Sequence, residues 1–357
     1  MKTQKNKILI VGGYGSVGKV IAKILANKLP NKVIIAGRSL EKAQNLIQEL
    51  DIQALACQVD ISASSFPEIN FKEVHTAICC IEFLQNDNFI RACIKNKVNY
   101  TELATSYEAY QRFIVYAQQL KESEICLIPG VGLMPGLSGI FVQEALTKLK
   151  HLKSVQSYVL LGLGENHGLD AIRFMMESAD KTFFVKTVNG KELVSSFTDP
   201  VKEKMLNENH SRKFYRFDLG DQHIIADLRE VTIAETRLAF DSKFITWFIG
   251  ILKKIGLLKK LSKVNPKTLQ KWLARFQFGS DRFTVQSHCK NEEDKEIIYL
   301  AEGFNEAHAT GVIATYAVLQ LYHSKLTGIK RLEEIIPFND FVEYLKKNQI
   351  NIKIKER

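Results

Sequence analysis

Residues 12–18 read GGYGSVG, and this stretch constrains the chain more than any other. The apolar run 8–11 leads into it and a helical pattern, 19–28, leads out. Gly13, Gly15 and Gly18 have the G-x-G-x-x-G spacing of a dinucleotide-binding turn. The first glycine closes the turn, the second lets backbone approach a pyrophosphate, and the third lets helix pack on strand. The phosphates then sit at a helix N-terminus, where unpaired N–H groups and the helix dipole favour anions. Tyr14, Ser16 and Val17 complete the turn and join the glycines as expected cofactor contacts. A second strand, 32–36, ends in Gly37, Arg38 and Ser39. An NAD-preferring site has Asp or Glu there for the ribose hydroxyls. Here a cation and a hydroxyl stand instead, and an arginine fork pairs well with a 2′-phosphate. Arg38 and Ser39 therefore favour NADP over NAD. A solitary G-x-G-x-x-G is weak, and the flanking strand, helix, second strand and terminal arginine carry the reading.

At 357 residues the chain exceeds one typical domain. No apolar run reaches the ~20 residues of a membrane-spanning helix. The N-terminus, MKTQKNK, lacks an apolar leader, so a cytoplasmic location is expected. Cys57, Cys79, Cys80, Cys93, Cys126 and Cys289 form no C-x-x-C pair and read as buried, reduced thiols. No Cys/His cluster has metal-ligand spacing, so no metal is expected. The net charge of +10 comes almost wholly from one segment. Between Ser242 and Ser280 there are nine basic residues and no Asp or Glu. No nucleic-acid reader motif accompanies that charge.

The first third alternates strand and helix. Strands read at 7–11, 32–36, 53–59, 76–81, 98–100 and 125–128, and helices at 16–28, 40–50, 86–96 and 107–122. That rhythm predicts an α/β fold: a Rossmann-type, doubly wound parallel sheet. Asp60 follows the third strand and serves either the adenine or a turn. Cys80 lies at the end of the fourth strand, on the same ligand-binding edge. After the turn-rich PGVGLMPGLSG at Pro129 the rhythm changes. Strand-like runs at 155–161, 182–188, 192–197, 213–219, 222–226, 282–288 and 296–302 predict a second α+β domain with a largely antiparallel sheet. Helices at 305–324 and 339–348 and a last strand at 350–354 close the chain.

GGYGSVG, AGRSLEKA at Ala36, VNYTELA at Val98, PGVGLMPGLSG at Pro129 and TGIKRLEEIIPFNDFVEYLKKNQI at Thr327 together resemble the saccharopine dehydrogenase-like oxidoreductases. The relatives include saccharopine reductases, lysine 6-dehydrogenases and carboxynorspermidine dehydrogenases. The middle, 155–300, is similar only in layout. The resemblance implies a homodimer. It also implies a Rossmann domain of residues 1–140 plus 304–357, interrupted by a substrate and dimerisation domain of residues 141–303. Members often have Tyr-x-Asp where this chain has Tyr100, Thr101 and Glu102, and Asp or Ser where it has Met134. The fourth strand ends in Cys79, Cys80, Ile81 and Glu82 rather than a proline-containing loop. The cofactor role carries over, and the substrate does not.

Hydride transfer needs alignment, an acid/base and a substrate anchor. Glu102 and Tyr100 end the fifth strand, at the edge where ligands bind, and are the candidate acid/base pair. Each has a plain structural reading as well, a capping carboxylate and a packed ring. Glu82 is a further carboxylate at the end of the fourth strand. Arg173, with His167 in GENHGLDAIRFMMES, is a candidate clamp for a substrate carboxylate or an ordinary helix arginine. His288 and His308 read as structural. The leading expectation is NADP-dependent hydride transfer to or from an amino-acid-derived imine or carbonyl, or a related small molecule. The alternatives are a silent NADP-binding scaffold or sensor, and a reductase for a lipid-like enoyl or keto substrate. In the basic segment, Phe244, Phe248, Ile251, Ile255 and Leu258 line one helical face beside Trp247, with Lys253 and Lys260 opposite. Segment 244–263 is therefore a peripheral membrane contact, a subunit interface or a lid.

Overall fold

The computed structural model describes residues 5–81, 86–164, 169–261, 264–265, 268, 270 and 279–357. The chain divides into two units: residues 1–137 with 310–337, and residues 138–309 with 338–357.

The first unit is built on a parallel sheet. Its strands are β1 (Lys7–Val11), β2 (Val33–Gly37), β3 (Ala54–Gln58), β4 (Val74–Cys79), β5 (Asn99–Glu102), β6 (Cys126–Ile128) and β15 (Gly328–Ile329). Their order is β15-β6-β5-β4-β1-β2-β3, with every pairing parallel. Ile8, Leu9, Ile10 and Val11 of β1 are all buried, as a strand covered on both faces requires. Strand order reverses between β1 and β4, so the crevice at their carboxyl ends is where such a sheet binds ligands. Helices α1 (Ser16–Lys28) and α2 (Leu40–Leu50) have the bounds that apolar spacing predicts. The helix expected over 107–122 is broken. It runs Tyr107–Gln111, passes through a 3₁₀ turn at Ile114–Tyr116, and resumes at Ala117–Glu122. Phe113, at the break, is fully buried in the core of this sheet.

The second unit holds a mixed, largely antiparallel sheet. Its strands are β7 (Leu152–Leu161), β8 (Thr182–Thr187), β9 (Gly190–Ser195), β10 (Val201–Glu203), β11 (Arg212–Arg216), β12 (Val231–Phe240), β13 (Arg282–Lys290), β14 (Glu296–Phe304) and β16 (Asn351–Glu356). The order is β10-β11-β12-β7-β13-β14-β16, with the β8–β9 hairpin attached to β12. Among the described residues of this sheet, β7 and β12 alone pair in parallel.

The structure departs from the sequence reading at four points. β12 was not anticipated. Residues 222–226, read as a strand, belong to the helix Gly220–Ala226, which Gln222 ties down by donating to the Phe217 carbonyl and accepting from the Thr236 N–H, both at 3.0 Å. The C-terminal residues were assigned whole to the nucleotide domain, but only 310–337 lies there. Residues 338–357 fall in the second unit because β16 hydrogen-bonds along β14. Of the cysteines read as buried, Cys57 and Cys80 are only partly so.

Asp221, in the first turn of the helix Gly220–Ala226, is 2% exposed. Burial pushes its carboxyl up to about 6, against the Gln222 N–H, the His223 charge and the Thr236 and Ser138 hydroxyls, which favour the anion. The folded chain therefore holds this proton where the unfolded chain has released it. The stability it contributes is present below pH about 3.8 and is lost as pH rises through about 6. Asp221→Asn is expected to be the more stable form above that window, by on the order of 1–3 kcal/mol, and to match the parent below it. Urea unfolding on both sides of the window checks this, and a destabilised Asn variant at neutral pH refutes it.

Candidate functional site

The glycine turn is built by close backbone packing. Gly12 has φ +75°, and its carbonyl accepts the Gly15 N–H at 3.0 Å. A Cβ on Gly18 would lie 2.3 Å from the Gly12 oxygen and 2.7 Å from the Gly13 Cα, so only glycine lets α1 start this near β1. Gly15 is the N-cap of α1 and offers no capping side chain, and no acidic residue lies in the first turn. The N–H groups of Ser16, Val17 and Gly18 therefore open the positive end of a 13-residue helix.

The structure gives Tyr14 and Ser39 local partners. A Cβ on Gly37 would fall 2.5 Å from the Tyr14 ring, so that glycine admits the ring over the end of β2. The Tyr14 hydroxyl accepts the Ser39 N–H at 3.2 Å. The Ser39 hydroxyl caps α2 by accepting the Lys42 N–H at 3.2 Å. Gly37, which the sequence places beside Arg38, is thus part of the site's framework.

Arg38 is exposed at the end of β2, and its carbonyl accepts from the Gln58 side chain at 3.1 Å. Asp60, left open between adenine and a turn, is in a turn. Its carboxylate accepts the Ser62 hydroxyl at 2.7 Å and the Ser62 N–H at 3.0 Å. These bonds, helped by the Arg38 charge, hold it below the usual carboxylate range. Cys80 donates its N–H to the Val11 carbonyl at 2.8 Å, extending the β1–β4 pairing by one residue. Burial keeps its thiol protonated.

Tyr100 and Glu102 come together, with a partner that the sequence did not suggest. Glu102 is 1% exposed. Its Oε2 accepts from the Tyr100 hydroxyl at 2.8 Å and from Arg112 Nη2 at 2.7 Å. The guanidinium lies 4.8 Å from the centre of the Phe113 ring and 3.9 Å from the Asp87 carboxylate. Burial first, and then the Glu102 charge, raise the Tyr100 phenol well above its ordinary value. This geometry makes Glu102 a buried anion held by a cation and a neutral phenol. Arg112 is the C-cap of the short helix Tyr107–Gln111, and its pairing with Glu102 leaves no mark on apolar periodicity.

Arg173 is exposed on the helix Leu169–Ala179 of the second unit. Glu82 and His167 lie outside the described residues. His288 is held among polar partners on β13. The Gln286 carbonyl takes the Leu206 N–H at 2.7 Å, which turns its amide toward His288 Nε2 at 2.9 Å, while Nδ1 pairs with Glu296 at 2.8 Å.

Residues 8–128 match the family model described as Saccharopine dehydrogenase NADP binding domain. The stretch that builds the parallel sheet is thus similar to the NADP-binding domain of saccharopine dehydrogenase. The chain's fold is shared by the saccharopine dehydrogenase (L-Glu forming) of Saccharomyces cerevisiae, with a TM-score of 0.70 and 14% identity over 99% of this chain and 100% of that one. The homospermidine synthase of Legionella pneumophila, solved in complex with NAD, gives a TM-score of 0.68 and 11% identity over 99% and 93%. Among curated proteins, the glutamyl-tRNA reductase of Methanosphaera stadtmanae is 39% identical over 51 residues, 14% of this chain and 13% of that protein. The match thus spans a small part of that relative's length. No described helix is long and apolar enough to cross a membrane.

Proposed function

We propose that the chain is an NADP-dependent oxidoreductase that moves hydride to or from an amino-acid-derived imine, carbonyl or related small molecule. The observation that carries the cofactor reading is the pairing of an uncapped, acid-free helix N-terminus with an exposed arginine at the end of β2. The glycine cradle, which a Cβ at Gly18 would fill, fits a pyrophosphate. Gly13 to Gly18 would hold that group, and Arg38 the 2′-phosphate. Bound there, NADP would supply the hydride chemistry. The substrate class is supported by the name of the yeast structural neighbour, a saccharopine dehydrogenase described as L-Glu forming. In this reading the Tyr100–Glu102–Arg112 network shapes the end of β5 rather than shuttling a proton.

Titration with NADPH and NADH, followed by nicotinamide fluorescence, tests the reading. Arg38→Ala is expected to weaken NADPH roughly 10- to 100-fold, the scale of a charge-assisted hydrogen-bond pair, and to leave NADH nearly unchanged. Absence of NADPH binding by the parent chain, or equal losses for both nucleotides, refutes it.

A further inference from the structure

The helix Lys243–Lys254 turns its apolar face outward. Its inner side is fastened at three points. Ser242 caps it by accepting the Ile245 N–H at 3.3 Å. The Thr246 hydroxyl is buried against the Phe240 N–H and carbonyl, at 2.9 and 3.2 Å. Lys253, which the sequence places opposite the apolar face, pairs with Asp180 at 2.6 Å. Gly250 lies where a Cβ would come 2.7 Å from the Tyr215 hydroxyl, so the helix is seated closely on β11. With that side occupied, Phe244, Trp247 and Phe248 remain 68, 49 and 45% exposed, the Phe244 ring stacked on Phe248 and tilted against Trp247. Ile255 continues the stripe beyond the last turn, at 59%.

Beside this face is a cavity of about 300 Å³ within the second unit. Lys202, Lys213, Lys243, Tyr215 and Trp247 are among its lining residues, and no carboxylate is. Lys202 and Lys213 are direct cross-strand partners on β10 and β11, a like-charge pairing that costs stability unless an anion lies between. Among the described residues no acid pairs with any of these three lysines. Arg212, at the same cavity, is already taken by Glu208 and the Asp241 carbonyl. Trp247 belongs to both the cavity and the outward face.

We propose that this face docks on an anionic phospholipid bilayer. The headgroup phosphate sits among Lys202, Lys213 and Lys243, and Phe244, Trp247 and Phe248 enter the interfacial layer. Charge decides between a membrane and a second copy of the chain. A two-fold contact would set this lysine-rich, acid-free face against itself, whereas an anionic surface complements it. Aromatic rings at the cavity mouth separate a headgroup from a free anion, which has nothing to place against them.

Co-sedimentation with vesicles tests the proposal on the intact chain and two variants. The intact chain is expected to sediment with phosphatidylcholine vesicles containing about a third phosphatidylglycerol, to stay soluble with phosphatidylcholine alone, and to be released by high salt. Changing Lys202, Lys213 and Lys243 together to Glu is expected to lower the partition coefficient at least ~100-fold, since each basic residue contributes about fivefold. Changing Phe244, Trp247 and Phe248 together to Ser is expected to abolish binding that the lysines alone do not sustain. All six side chains are exposed, and far-UV circular dichroism confirms that the variants fold. Three results overturn the proposal. One is a chain that stays in the supernatant with anionic vesicles. Another is inorganic phosphate binding lost in the lysine variant without any vesicle binding. The third is a concentration-dependent dimer that the serine variant dissolves while vesicles are ignored.

Discussion

Arg112→Ala is expected to destabilise the first unit by about 3–5 kcal/mol, the cost of leaving a buried charge without its partner. Glu102 has almost no contact with water, and the Arg112 guanidinium is 2.7 Å from its Oε2. The Tyr100 hydroxyl donates one hydrogen bond but brings no charge. Removing the guanidinium also removes its contact with the Phe113 ring. The alanine variant should therefore unfold at clearly lower urea than the parent, with an unchanged m-value. A double change, Glu102→Gln with Arg112→Met, should recover much of the loss, because both charges leave together. A single-variant loss below ~1 kcal/mol, the size of a surface pair, would show that the network is solvated and restore Glu102 as an acid/base candidate.

Gly18→Val is expected to cost at least 1–3 kcal/mol in overpacking, and to weaken NADPH binding by more than ~100-fold. The colliding atoms are backbone, the Gly12 oxygen and the Gly13 Cα, so no rotamer change relieves them. The start of α1 must move away from β1, and the N–H groups at its end move with it. Gly15→Ala is the matched control. Its Cβ would meet only the Gly12 oxygen at 3.2 Å, a contact that a few tenths of an ångström relieves. Thermal melts and nicotinamide fluorescence on both variants separate a packing effect from a binding effect. Equal affinities for parent and Gly18→Val would falsify the cradle.

The missed strand β12 shows where sequence patterning ran out. Glu235 and Arg237 stand in its middle, and two charges argue against a buried central strand. In the folded chain both are buried, 9 and 3% exposed, because they pair with each other at 3.1 Å and with Arg216 and Asp199. Arg216 belongs to the neighbouring strand β11, and Asp199 lies outside both strands. Such burial is tolerable only once those distant residues are in place. The break at Arg112 has the same character. The helical pattern continues through it, yet the two residues at the break are the ones that meet Glu102 and the core: Arg112 pairs with Glu102, and Phe113 is buried.

Local chemistry settled what is short-range. Glycines three and five residues apart, an apolar run before them and an arginine after the next strand specify the turn, the parallel sheet and the proposed nucleotide cradle, because each depends on residues adjacent in the chain or on simple periodicity. Folding alone decided which charges meet. It joined Arg112 to Glu102, buried Arg237 beside Glu235, and set Lys202 opposite Lys213 at one cavity. Electrostatic energy depends on distance in space and on exclusion of water, and neither is written in the order of residues.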